Sequence, residues 1–172
     1  MAAVETVVDA IVQEFEQESA TTRRLLKRVP ADQLTWKPHP KSMSLGQLAM
    51  HIAQGPGFLI GWAAADSTEV PDLDGPTEAT TVEQILTSHD RGVETVKKTL
   101  GRLGESGLQG MCKVTKGGAT LLEMPKKGLV RTLVLNHLVH HRGQLSVYLR
   151  LLNVPVPSIY GPSADENPFA PK

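Results

Sequence analysis

A single cysteine, Cys112, stands in the 172 residues. It excludes an intramolecular disulfide and a thiolate-built zinc cluster. Aromatic side chains are few, with two Trp, two Tyr and three Phe, and they do not alternate with basic residues. The stacking platform of a single-strand nucleic-acid binder is therefore missing. Charge of either sign is not in excess, because 18 Lys and Arg balance 18 Asp and Glu. No basic run is longer than two residues, so no stripe exists to neutralise phosphates. Long apolar runs are absent too, since Gly, His or Arg breaks each before the roughly 18 residues of a membrane span. Glu5 and Asp9 stand where a leader would be basic and then apolar, which predicts the cytoplasm. Nucleic acid and membrane are both excluded as expected partners.

Hydrophobic residues make up 40% and charged residues 21%, ordinary globular usage that allows a sizeable core. The length suits one domain spanning 1–172. Apolar residues recur at helical spacing from Val4 to Val29, and Pro30 closes that first helix. The segment 36–43 carries Pro38 and Pro40 and is irregular. Ser44 and Gln47 then have the spacing of a capping box, which predicts a second helix from Ser44. Gly55-Pro56-Gly57 should kink or break it after Gln54. Residues 66–79 read as loop. Thr80 and Glu83 repeat the capping spacing ahead of a third helix ending near Gly104. Met111–Thr115 and Ala119–Leu122 flank Lys116-Gly117-Gly118, a possible hairpin within a long crossover. Leu129, Leu133, His137, His141, Leu145, Tyr148 and Leu152 mark a fourth helix from Gly128 to Leu152, stopped by Asn153 before Pro155. The expected fold is all-α, a four-helix bundle with one long crossover between the third and fourth helices, its tail packed back along the surface.

His137 and His141 are one turn apart on one helical face, so both imidazoles reach a single ion beside the helix. A site needs a further ligand from elsewhere in the chain. His51, between Leu48 and Ile52 on an inward face, leads the four remaining histidines, because a buried imidazole needs a partner. His89 ranks second and reads more readily as a core histidine satisfied by a neighbour. His39 lies in the proline-rich loop, and His140 points about 100° away from the pair; both are expected to face solvent. Gln144 continues the histidine stripe, with Asn136, Arg142 and Tyr148 around it as possible orienting groups. Cys112, in a glycine-rich stretch, reads as a passive residue.

Three stretches, Ser44-Leu-Gly-Gln-Leu-Ala-Met-His51-Ile-Ala, Asn136-His137-Leu-Val-His-His141-Arg-Gly-Gln144 and Pro157-Ser-Ile-Tyr-Gly-Pro-Ser-Ala-Asp165, together resemble the DinB/YfiT-like metalloenzyme family. The resemblance runs over nearly the whole chain. It implies an up-down-down-up bundle, usually a homodimer, holding a divalent transition metal (Ni, Zn or Fe) on His51, His137 and His141. Gly55-Pro56-Gly57 departs from a plain second helix and would reshape the wall beside the metal. Similar branches of the family transfer low-molecular-weight thiols such as bacillithiol or mycothiol, so a metal-dependent thiol transferase is the first expectation. A hydrolase using metal-activated water is the second, with Tyr148, Tyr160 or a carboxylate as unassigned acid or base. A non-catalytic, stress-related metal or small-ligand binder is the third.

Overall fold

The computed structural model describes residues 6–72 and 75–170. The start of the first predicted helix at Val4 lies outside them. Helix α1 is Val7–Leu26, opened by a reciprocal box between Thr6 and Asp9. Helix α2 is Leu45–Ala64. Its cap is the one expected: the Ser44 hydroxyl accepts from the Gln47 N–H at 3.0 Å while the Gln47 amide accepts from the Ser44 N–H at 2.8 Å. Helix α3 is Val82–Gln109 and α4 is Lys126–Leu129. A π-helical segment, Val130–Asn136, leads into α5, His137–Leu151. The major packing runs α1 to α3, α3 to α2, α2 to α5 and α5 back to α1. The buried apolar side chains of all four join one cluster. None of the described helices is long and apolar enough to cross a membrane.

The all-α expectation is overturned by a three-stranded mixed sheet beside the helices. Strand β1 is Ser67–Glu69, β2 is Met111–Lys116 and β3 is Ala119–Pro125, in the order β1-β2-β3. The hairpin is the one the sequence suggested. Gly117 and Gly118 both take positive φ, 56° and 79°, which a two-residue turn matching the strand twist requires. β1 pairs parallel to β2 and falls in the stretch read as loop. Three residues carry too little alternation to be seen, and a parallel partner over 40 positions away leaves no local mark.

Other boundaries moved for local reasons. α2 runs through Pro56 without the expected break, although the ring removes the bond to the Ile52 carbonyl. Gly57 of α2 and Gly92 of α3 serve the crossing of the two helices: a Cβ on Gly57 would stand 2.9 Å from Gly92 Cα, and one on Gly92 would stand 3.0 Å from the Ala53 carbonyl oxygen. Packing of α2 on α3 therefore outweighs the local cost of proline. The cap of α3 is Thr81, whose hydroxyl accepts from the Gln84 N–H at 3.0 Å, one residue after the predicted Thr80 and Glu83 pair. Gly104 does interrupt α3, at φ 61° and ψ −175°, but helical structure resumes to Gln109. The fourth helix is not uniformly α, because its middle is π-helical.

The end of α5 is a Schellman motif. Asn153 sits at φ 57°, its N–H bonds the Arg150 carbonyl at 3.0 Å, and the Val154 N–H bonds the Leu149 carbonyl at 2.9 Å. The tail then docks as expected: Arg150 pairs with Asp165, Arg24 with Glu166, and Ser158 is buried.

The crossing of α2 and α3 predicts opposite outcomes for two glycines of one helix. Gly57→Ala must force the backbones apart and should lower stability by about 1–3 kcal/mol. Gly61, with nothing within 4 Å of its Cβ position, should gain about 0.5–1 kcal/mol as alanine. Urea midpoints of both variants check this, and equal effects would exclude the close crossing.

Candidate metal centre

Helix α2 supplies His51, and α5 supplies His137 and His141. The π-helical segment sets the phase of the second pair, since the His137 N–H bonds the Thr132 carbonyl five residues back. Such widened turns interrupt a helix at functional positions. Gly55, one turn on from His51, lies against the His137 ring, whose Cε1 would be 3.8 Å from an added Cβ.

The three imidazoles converge through their Nε2 atoms. His51 is 3.3 Å from His137 and 3.2 Å from His141, and His137 is 3.0 Å from His141. The rings stand edge-on to one another at 71–84°. Ligands about 2.0–2.1 Å from a common ion are separated by about 3.3 Å at a tetrahedral angle and about 2.9 Å at a right angle. The observed triangle spans that interval, so the three histidines could hold one metal ion.

The hydrogen bonding suits the same donor set. Gln144 Oε1 accepts from His141 Nδ1–H at 2.7 Å, which leaves the Nε2 lone pair of a neutral His141 facing the other two rings. Burial pushes His51 and His141 below the usual imidazole range. It pushes His137 further, to about 4, with the neighbouring charges of His141, His51 and His140 adding to it. Unprotonated imidazoles at neutral pH are what a metal requires.

The remaining residues singled out from sequence divide cleanly. His39 and His140 are exposed. His89 is 4% exposed and contacts Asp90 Oδ1 at 3.3 Å, a satisfied core histidine. Cys112 is buried, donates to the Trp62 carbonyl and has its thiol pushed up by burial, so it stays a passive thiol. Of the expected orienting groups, Gln144 bonds a histidine of the triad directly. Tyr148 donates to the Met43 carbonyl. Arg142 turns to α1, donating to the Glu18 carbonyl and the Thr22 hydroxyl and pairing with the Glu18 carboxylate at 2.6 Å, and it also donates to the Tyr160 hydroxyl of the tail.

Sequence reasoning missed the space beside the triad. A cleft of about 630 Å³ has His51 and His137 in its wall, with Met43, Phe58, Leu59 and Trp62 as its large apolar side chains. The helical spacing of Phe58, Leu59 and Trp62 behind His51 was visible, but a core face and a cleft wall have the same period.

The depressed imidazoles make the metal-free protein acid-sensitive. An unfolded histidine titrates near 6.5 while His137 in the fold titrates near 4, so the unfolded chain takes up protons first as pH falls. Stability present at neutral pH should decline from about pH 6.5 down to about pH 4, with His51 and His141 acting in the same direction. Urea midpoints of chelator-treated protein measure this, and a midpoint that holds or rises over that window contradicts it.

Comparison with known proteins agrees with the architecture. The chain is 27% identical over 168 residues to YrdA of Bacillus subtilis (strain 168), a protein described as uncharacterized, covering 92% of this chain and 91% of that one. A crystal structure of a DinB-like protein from Bacillus cereus ATCC 10987 superposes with a TM-score of 0.69 at 23% identity, over 92% of this chain and 100% of the other. The DinB-like protein YjoA of Bacillus subtilis superposes with a TM-score of 0.63 at 20% identity, over 85% and 96% of the two chains. The family model described as DinB family matches residues 4–168, and the chain therefore belongs to the DinB family.

Proposed function

We propose that the chain binds one divalent transition metal, nickel, zinc or iron, through His51, His137 and His141, and transfers a low-molecular-weight thiol onto an electrophilic carbon. The observation that carries this reading is the convergence of three Nε2 atoms, two of them from histidines that line an apolar cleft. When bound, an ion held by neutral ligands keeps its full charge and lowers the pKa of a thiol or water beside it. The chain's own residues do the rest. Half-burial keeps the imidazoles unprotonated, Gln144 holds the His141 tautomer, and the apolar wall shields the electrophile from water. In the transfer a carbon–sulfur bond forms as the carbon–leaving-group bond breaks. The electron pair departs with the leaving group and the thiol proton passes to solvent.

Thiol transfer is favoured over hydrolysis by how the tyrosines are engaged. A hydrolase needs a side chain to carry protons at the ion, yet the Tyr148 hydroxyl is committed to Met43 and the Tyr160 hydroxyl to Arg142 and Glu18. Among the described residues the cleft wall contains no carboxylate. The closed, non-catalytic reading needs a fourth protein donor, and among the described residues the cluster comprises the three histidines only.

Metal-loaded protein given bacillithiol and monochlorobimane should form the fluorescent thioether with release of chloride, well above the metal-free rate. Silence in that assay alongside rapid ester or amide hydrolysis would replace this reading with the hydrolytic one. In parallel, His141→Ala should lose stoichiometric metal by elemental analysis while keeping its helical circular dichroism, because the core is mainly aliphatic. Full occupancy in that variant excludes His141 as a ligand.

A further inference from the structure

The cleft is long, and one helix lays out its length. His51, Gln54, Phe58, Leu59 and Trp62 follow one another along the face of α2 that lines it. At 1.5 Å per residue this stripe extends about 16 Å from the triad. Pro76 and Thr77 contribute to the lining from the segment before α3. The volume of about 630 Å³ falls within the range of small-molecule sites.

Its chemistry is selective. Among the described lining residues none carries a fixed charge, and the polar side chains besides the histidines, Gln54 and Thr77, are neutral. Away from the histidines, an ion entering this space would lose hydration without gaining a charged partner among the described residues. Phe58, by contrast, is left 47% exposed, with its ring edge-on to Trp62 at 5.9 Å between centroids. An aromatic pair uncovered on one side gains by burying a flat apolar body against it.

We infer that the cleft seats an uncharged, elongated, largely apolar co-substrate, with its body against Phe58 and Trp62 and its reacting end at the histidine triad. The assignment rests on the thiol-transfer reading only for which end reacts. Gln54, between His51 and Phe58 in sequence, is the side chain placed to hydrogen-bond a neutral polar group midway along such a molecule.

Two dyes of nearly one shape test this on the full chain: N-phenyl-1-naphthylamine, which is neutral, and 1-anilinonaphthalene-8-sulfonate, which adds a fixed negative charge. The neutral dye should saturate at one per chain and bind at least about tenfold tighter than the sulfonate. Phe58→Ala should weaken the neutral dye by about fivefold to tenfold. Leu121→Ala, which removes an exposed side chain of β3 outside the cleft, should leave its affinity unchanged. In His141→Ala the dye preference should persist without metal, so a failed metal assay and a failed cleft assay are told apart. Equal affinity for the two dyes, no saturable binding, or indifference to Phe58→Ala overturns the assignment.

Discussion

Three neutral imidazoles with their ring nitrogens 3.0–3.3 Å apart are the constraint around which this bundle is organised. Three imidazoles crowded in a half-buried site offer at least one nitrogen lone pair to their neighbours, and the surrounding structure must hold the rings at this spacing. Both helices that carry them are restrained. α2 is held against α3 at the distance that Gly57 and Gly92 permit. α5 begins where the π-helical segment ends, so the widened turn decides which way His137 points.

The rotation of α5 is also fixed from a second side. Arg142 follows His141 by about 100° around the helix and is 1% exposed, enclosed by Glu18 and Thr22 of α1 and by Tyr160 of the tail. The guanidinium stacks over the Tyr160 ring at 5.0 Å. A buried cation with its donors satisfied tolerates little displacement. Anchoring Arg142 to α1 therefore keeps His141 turned to α2, while Gln144 sets the tautomer. The docked tail is in this way part of what positions the site, although it contributes no ligand to the cluster.

Much of this was legible locally. The Ser44 and Gln47 box, the Gly117-Gly118 turn, the stop at Asn153 and the one-turn spacing of His137 and His141 each depend on residues within a few positions of one another. Backbone physics acts at that range. What failed to show depended on distant partners. Pro56 looked like a break because the glycine crossing with α3 that compensates it lies 35 residues away. That Arg142 acts on the histidines through α1 rather than by touching them did not show, because its partners there are more than 100 residues away. β1 could not be told from loop without β2.

The sequence by itself determined that four helical stretches and a hairpin form and that His137 pairs with His141, because periodicity and caps are properties of neighbouring residues. Periodicity left His51 the first of four partners and the family resemblance named it, while the tertiary structure supplied the geometry that brings its ring to the pair and keeps His89 away. Both histidines lie on apolar helix faces, and which face turns to α5 depends on the packing of α2 between α3 and α5. The apolar cleft belongs to the same class. Its residues repeat with the period of a core, and only the tertiary packing, in which no described helix covers that part of the face, makes them the wall of a cleft.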